Sequence, residues 1–146
     1  MKGMTLIVKK ITQIMAPVIF LFGLYIIAHG HLSPGGGFCG GVITASSFIL
    51  LILANGSILP ALRKEEGNLE FLESSAILGF LILAGIGLLI SGTTVFFSNF
   101  ISQGKIGELM SAGFIPLENI VVGAEVCAAV STIFIALVVF KDEVTK

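Results

Sequence analysis

The sequence predicts an all-α membrane protein with four transmembrane helices in a single domain, residues 1–146. Hydrophobic residues make up 55% of the chain and charged residues only 12%, whereas an ordinary soluble domain carries about 25% charged residues. The apolar residues gather in four long runs, and a bilayer core of about 30 Å requires about 20 such residues per helix. This composition argues against a soluble enzyme, and the net charge of −1 provides no basic surface for nucleic acid.

The four apolar runs place the helices at about residues 8–28, 37–59, 74–97 and 118–140. Such runs are too long for barrel strands, so helices are the structure that can span lipid here. The charged segment 61–73 is predicted to be a solvated turn between the second and third helices. Seven of the eight Lys and Arg residues then lie on one side of the membrane and only Lys105 on the other, so the positive-inside rule predicts that both termini are cytoplasmic.

A glycine-rich segment, HGHLSPGGGFCGG at residues 29–41, follows the first predicted helix. Glycine destabilises a helix, so this many glycines at a helix start need a compensating reason. Two small-xxx-small pairs let another helix backbone approach closely, on a face that one four-helix chain need not use internally. Proline suits the first helical position, and the phenylalanine is expected to pack over the opening that the glycines leave. The expected signature and packing residues are Pro34, Gly35, Gly36, Gly37, Phe38, Gly40 and Gly41.

The same segment has a second interpretation, in which the start of the helix directs its N–H groups toward an ion path. His31 lies at the outer membrane edge and is a candidate for proton uptake, because histidine titrates near neutral pH. The two cysteines fit no zinc spacing. We therefore expect no metal site and no resident cofactor in this chain.

Glu125 is the only acidic residue well inside a predicted span. A carboxylate in lipid costs at least about 2.5 kcal/mol, so such residues usually face a bundle interior or a water-filled cavity. Glu118 lies seven residues earlier and Thr132 seven residues later, so the three side chains share one helix face. They predict a cation-accessible line along the last helix. The alternative is that Glu125 holds a contact with another subunit.

Residues 29–41 resemble the G-H-x-x-P-G-G-G-F-x-G-G signature of the MnhB-like domain, a small membrane component of Mrp-type multisubunit sodium/proton antiporters. A similar domain occurs in membrane-bound hydrogenase-type respiratory complexes, and length and four-helix topology extend the resemblance over the whole chain. The resemblance implies a small multi-pass transporter subunit, not an enzyme, in a prokaryotic cell (inner) membrane. Such a component packs beside larger hydrophobic subunits, sometimes of a redox-driven complex, and helps form the path for sodium ions and protons.

Two other functions remain open from the residues. An autonomous proton-coupled exporter would work as a homodimer with one membrane Glu per chain. The chain has one Tyr and no Trp, which leaves little for a cationic drug to stack on, and its membrane Glu lies in the last helix. A pure assembly scaffold would have no contact with the transported ion.

Overall fold

The computed structural model describes residues 4–32, 34–56, 59–90, 97–99, 101–102, 104–105, 107 and 111–144, with backbone alone for 59–66 and 142–144. These residues form four helices, α1 (Leu6–Ala28), α2 (Gly36–Asn55), α3 (Leu59–Ile90) and α4 (Ile115–Val144), and include no strand. All four are long and apolar enough to cross a membrane. The predicted all-α architecture with four transmembrane helices is therefore confirmed.

The second helix is shorter than predicted. It ends at Asn55 rather than near residue 59, because Gly56 follows with a φ of 80° and donates its N–H to the carbonyl of Ile52. A glycine in a left-handed conformation just after the last helical residue is a common way to end a helix.

The third helix differs most from the prediction. It begins at Leu59 and includes the charged segment 61–73, so the interpretation of that segment as a turn is wrong. Lys, Arg, Glu and Leu are good helix formers, and Pro60 stands in the first turn, where it removes no intrahelical hydrogen bond. The described part of the helix extends to Ile90, and residues 91–96, which the prediction also places in this helix, lie outside the described residues. At 32 residues it is about 48 Å long, and its apolar part begins at Gly67.

Three of the helices form a group, and α3 packs beside it. The first helix contacts both α2 and α4, and α2 also contacts α4. Among the described helices, α3 contacts α4 alone. The arrangement is therefore more open than a closed four-helix bundle, and α4 is the central helix.

The start of α1 and the ends of α2 and α4 lie at one end of the molecule. The N–H of Met4 donates to the carbonyl of Ala54 at 3.0 Å. Ile52 packs against the buried cluster of Ile135, Val138 and Val139. This geometry agrees with two termini on one side of the membrane, while the cytoplasmic side itself stays a prediction. Of the basic residues behind that prediction, Lys2 and Lys146 lie outside the described residues.

The helices pack through small buried side chains. Five alanines are at most 1% exposed: Ala16, Ala45, Ala54, Ala84 and Ala128. Small residues let helix backbones approach closely in lipid, where packing replaces the hydrophobic driving force. Several hydroxyl groups in the spans donate to a carbonyl of their own helix, as Thr44 does to the carbonyl of Gly40 at 2.7 Å. Such internal bonds satisfy polar groups that have no water to contact.

Candidate functional site

The glycine-rich segment turns the chain into α2 through two glycines with positive φ. Gly35 has a φ of 130° and Gly36 a φ of 55°, and this region of backbone conformation favours glycine strongly. Pro34 precedes both in an exposed turn. The prediction that Pro34 takes the first helical position is therefore wrong, because the left-handed Gly35 separates it from the helix. Ser33 lies outside the described residues.

Two further glycines bring the backbones of α2 and α4 together. A Cβ atom at Gly37 would lie 2.5 Å from the carbonyl oxygen of Asn119, and one at Gly41 would lie 2.7 Å from that of Gly123. Both obstacles are backbone atoms, which no side-chain rotation removes. The predicted close approach of another helix is therefore confirmed, and that helix is α4 of the same chain.

Gly40 performs the same role toward α1. A Cβ atom there would lie 2.5 Å from the side chain of Ile27 and 2.9 Å from the carbonyl oxygen of Gly23. The glycines of α2 are thus used inside the chain. The expectation that they form a spare face for another subunit is wrong, because two neighbouring helices of the same chain fill it.

Phe38 does not pack over the glycines. Its side chain is 63% exposed, whereas Gly37 before it is buried. The expectation that Phe38 covers the opening within this chain is therefore wrong. Consecutive helical side chains point about 100° apart, so the glycine that faces α4 directs its neighbour outward.

Asn119 connects the glycine-rich segment to α4, and sequence reasoning missed it. Its Oδ1 accepts the N–H of Gly37 at 3.4 Å, and a Cβ atom at Gly30 would lie 2.8 Å from its Nδ2. The first N–H groups of a helix lack intrahelical partners, so an amide oxygen from a neighbouring helix satisfies one of them. Two features of the sequence could have indicated this contact. The free N–H groups at the start of the second helix require an acceptor, and Asn119 is a polar side chain at the start of the last span.

Glu118 lines a cavity at the same end of the molecule. The cavity measures about 410 Å³, and its other walls are Phe97, Asn99, Ala112, Phe114 and Ile115. Among the described residues, the Oε1 atom of Glu118 is buried and has no hydrogen-bond partner. A buried acceptor without a partner is unfavourable, so this carboxylate is a candidate to bind a cation or a proton.

Glu125 lines a second cavity, of about 220 Å³, between α3 and α4. Its other walls are Ala76, Ile77, Phe80, Val121 and Val122. Because α4 begins at Ile115, Glu125 lies about 15 Å along the helix. This position is near the middle of a bilayer core of about 30 Å. Both Glu118 and Glu125 therefore lie beside α3 or the segment that follows it.

The apolar part of α3 also carries two acids. Glu70 and Glu73 fall in the first two turns of the candidate span Gly67–Ile90. Glu125 lies deeper in its span than these two, so among the described residues it is still the only acid well inside a span. The two acids of α3 enter the candidate span because the helix extends through the charged segment.

The remaining predicted path residues lie apart from the two cavities. Thr132 is half-buried and donates its hydroxyl to the carbonyl of Ala128 at 3.0 Å. His31 lies half-buried in the turn after α1. From Glu118 to Thr132 the line extends about 21 Å along α4, so these residues form successive positions rather than one cluster. The described part of the chain holds no group of three or more His, Cys, Asp or Glu residues placed to bind a metal ion.

A comparison with known protein families shows which family this chain belongs to. A family model described as a domain related to the MnhB subunit of Na+/H+ antiporters matches residues 7–132. The chain belongs to the MnhB-related family. A putative antiporter subunit mnhB2 of Staphylococcus aureus strain Newman is 30% identical over 117 residues, which cover 80% of this chain and 74% of that protein. The resemblance predicted from residues 29–41 is therefore confirmed.

Two longer relatives extend the comparison. An uncharacterised protein of Methanocaldococcus jannaschii is 38% identical over 132 residues, 88% of this chain and 50% of that protein. A chain from the structure of the membrane-bound sulfane sulfur reductase, an archaeal respiratory membrane complex, matches with a TM-score of 0.74 and 35% identity. That match covers 91% of this chain and 57% of the other. This MnhB-related chain thus spans half the length of the first relative and 57% of the second. It is a multi-pass membrane protein of a prokaryotic family.

Proposed function

We propose that this MnhB-related chain is a small membrane subunit of a multisubunit cation/proton antiporter module. The match over residues 7–132 to a domain related to an antiporter subunit carries the proposal. The likeness to a chain of an archaeal respiratory membrane complex supports membership of a larger assembly. The module is either a free-standing antiporter or part of a hydrogenase-type respiratory complex. In this function the chain is a transporter subunit rather than an enzyme, and its partners are other hydrophobic subunits.

Within such a module, the chain contributes acidic positions to the path of sodium ions and protons. Glu118 and Glu125 each line a cavity, and they lie about 10 Å apart along α4. Oxygen ligands lie within about 2.6 Å of a hard cation such as calcium, so the two carboxylates cannot bind one ion together. They act as successive steps, with His31 at the outer end and Thr132 further along the helix.

The experiment that tests this path replaces Glu125 in the native complex. Glu125→Gln keeps the size of the side chain and removes its titratable charge. Glu70→Gln is the matched control, because it makes the same change at an exposed position near the charged end of α3. Cation-dependent proton flux in inverted vesicles, expressed per amount of recovered complex, should be lost in Glu125→Gln and retained in the control. Near-native flux of Glu125→Gln at about pH 6.5–9 would remove Glu125 from the path.

The glycine-rich segment has a packing role of its own within the chain. Gly37 and Gly41 place α2 against backbone atoms of α4, and this role requires no contact with an ion.

Purification in mild detergent separates the subunit proposal from the autonomous exporter. The chain should purify with other membrane proteins if it is a subunit, whereas a stable, transport-competent homodimer in liposomes would favour the exporter.

A further inference from the structure

In the described helices, the backbone positions place no Lys or Arg residue close to Glu125. Lys141 follows it by sixteen residues on α4, about 24 Å away along the helix. Ile77 is part of the segment of α3 that faces Glu125 across the groove. Lys64 lies thirteen residues before Ile77, or about 20 Å away along α3. An ion pair requires about 4 Å or less between nitrogen and oxygen. The other basic residues belong to the start of α1, the first turns of α3 or segments outside the helices: Lys2, Lys9, Lys10, Arg63, Lys105 and Lys146.

The cavity beside Glu125 is a groove on the outer side of α4. Ile27 of α1 contacts α4 at Gly123, and Glu125, two residues later, points about 200° around the helix from that contact. The groove therefore faces away from α1. Ile77 on its rim is 47% exposed, and Glu125 itself is half-buried. A molecule that packs against this side of the chain therefore contacts an apolar surface with a single carboxylate in it.

We propose that this groove receives a transmembrane helix of a partner subunit, and that this helix carries one Lys or Arg that pairs with Glu125. Charge complementarity supports this occupant, because charged residues inside membranes pair with one another or face water-filled cavities. The apolar walls fit an apolar helix, and the depth of about 15 Å places the basic residue near the middle of the partner span. The inference rests on the proposed function, since it needs a neighbouring membrane subunit.

Photo-cross-linking in the native complex tests the groove. Benzoylphenylalanine is placed at Ile77, on the rim, and at Leu78, which is 58% exposed and does not line the groove. Mass spectrometry then identifies the cross-linked peptides. The Ile77 probe should capture one span of another subunit with a Lys or Arg in its middle third, and the Leu78 probe should not capture that span.

Charge exchange then tests the pair itself. Glu125→Lys should lower the yield of the Ile77 cross-link by about tenfold, and replacement of the identified basic residue by Glu should restore it. Glu125→Gln keeps the shape of the side chain and removes its charge, so it should also lower the yield of the Ile77 cross-link. This variant keeps the test valid if Glu125→Lys does not fold. Recovery of the chain, measured in the same membranes, controls for folding.

Capture of lipid alone, of a second copy of the chain, or of a span without a central basic residue would overturn the inference. An unchanged cross-link in Glu125→Gln would also overturn it. In these cases, a chain that still purifies with other membrane subunits leaves the proposed function intact. A chain that purifies with none of them contradicts the proposed function itself.

Discussion

Gly37→Ala tests whether the glycine-rich segment exists to bring α2 and α4 into backbone contact. The added Cβ atom would lie 2.5 Å from the carbonyl oxygen of Asn119, 3.0 Å from Cβ of Val122 and 3.1 Å from the backbone nitrogen of Gly123. Non-bonded carbon atoms prefer about 3.5–4.0 Å, so the two helices must separate by about 1 Å at this point. Because two of the three atoms belong to the backbone, a change of rotamer cannot relieve the contact.

The expected destabilisation follows from three contributions. Overpacking costs about 1–3 kcal/mol. Separation also breaks the hydrogen bond from Gly37 to Asn119, which is already long at 3.4 Å, and a typical hydrogen bond contributes about 1 kcal/mol. Alanine offsets this loss, because its helix propensity exceeds that of glycine by about 1 kcal/mol. The net expectation is a loss of about 1–3 kcal/mol in the free energy of unfolding.

Thermal unfolding of the complex in mild detergent measures the effect. For a chain of this size, about 1 kcal/mol corresponds to about 3 °C, so the melting temperature should fall by about 3–9 °C. Gly85→Ala is the matched control, because it makes the same substitution in α3 where a Cβ atom meets nothing within 4 Å. The control should be neutral or stabilised by up to about 1 kcal/mol.

The reasoning would be refuted if Gly37→Ala unfolded at the wild-type temperature. It would also be refuted if Gly85→Ala lost as much stability as Gly37→Ala. The first result would mean that α2 and α4 do not approach as closely as the backbone contacts at Gly37 require. The second would mean that loss of glycine, rather than the contact with α4, governs the change.

Three further changes have definite outcomes. Asn119→Ala should lower the free energy of unfolding by about 1–3 kcal/mol, since it leaves the buried N–H of Gly37 without an acceptor. Asn55→Ala removes an exposed amide and should have no such effect, so the melting temperature of Asn119→Ala should lie below that of Asn55→Ala. Phe38→Ala should leave the stability of the chain within about 0.5 kcal/mol of wild type, because the side chain is exposed, and a large fall in melting temperature would contradict it. Cysteine labelling in intact cells should modify position 105 and spare position 64; labelling of position 64 by an impermeant reagent would reverse the topology.

The number and kind of helices could be predicted because a long apolar run has few alternatives in lipid. The bounds of α3 could not, because the prediction treated charge as evidence for a turn. Charge decides where a helix leaves the membrane, whereas backbone preference decides where it ends. Residues 61–73 are rich in helix formers, so the helix continues through them into the region beyond the bilayer. A prediction that kept these two questions separate would have found the observed start near Pro60.

The site was predictable residue by residue only where one helix fixed the geometry. The heptad spacing of Glu118 and Glu125 places both on one face of a helix whatever its neighbours are. Asn119 could not be assigned in this way, because its role depends on α2 beginning beside α4, which no spacing within one segment reveals. The same limit applies to Phe38, whose outward direction follows from the contact that its neighbour makes with α4.

Two faces of α4 make different contacts, one with the glycines of α2 and one that carries the two acids of the proposed path. On the face toward α2, backbone atoms of α4 meet Gly37 and Gly41. These contacts fix the position of α4 along α2, because a change of side-chain rotamer cannot alter them. Another face carries Glu125 in a cavity beside α3 and Glu118 in a separate cavity beside residues 97 and 99. A rigid helix transmits any displacement at one face to the other, so the glycine contacts set the depth of both carboxylates in the membrane. A change at Gly37 should therefore alter ion coupling even in complexes that still assemble, without touching an acidic residue.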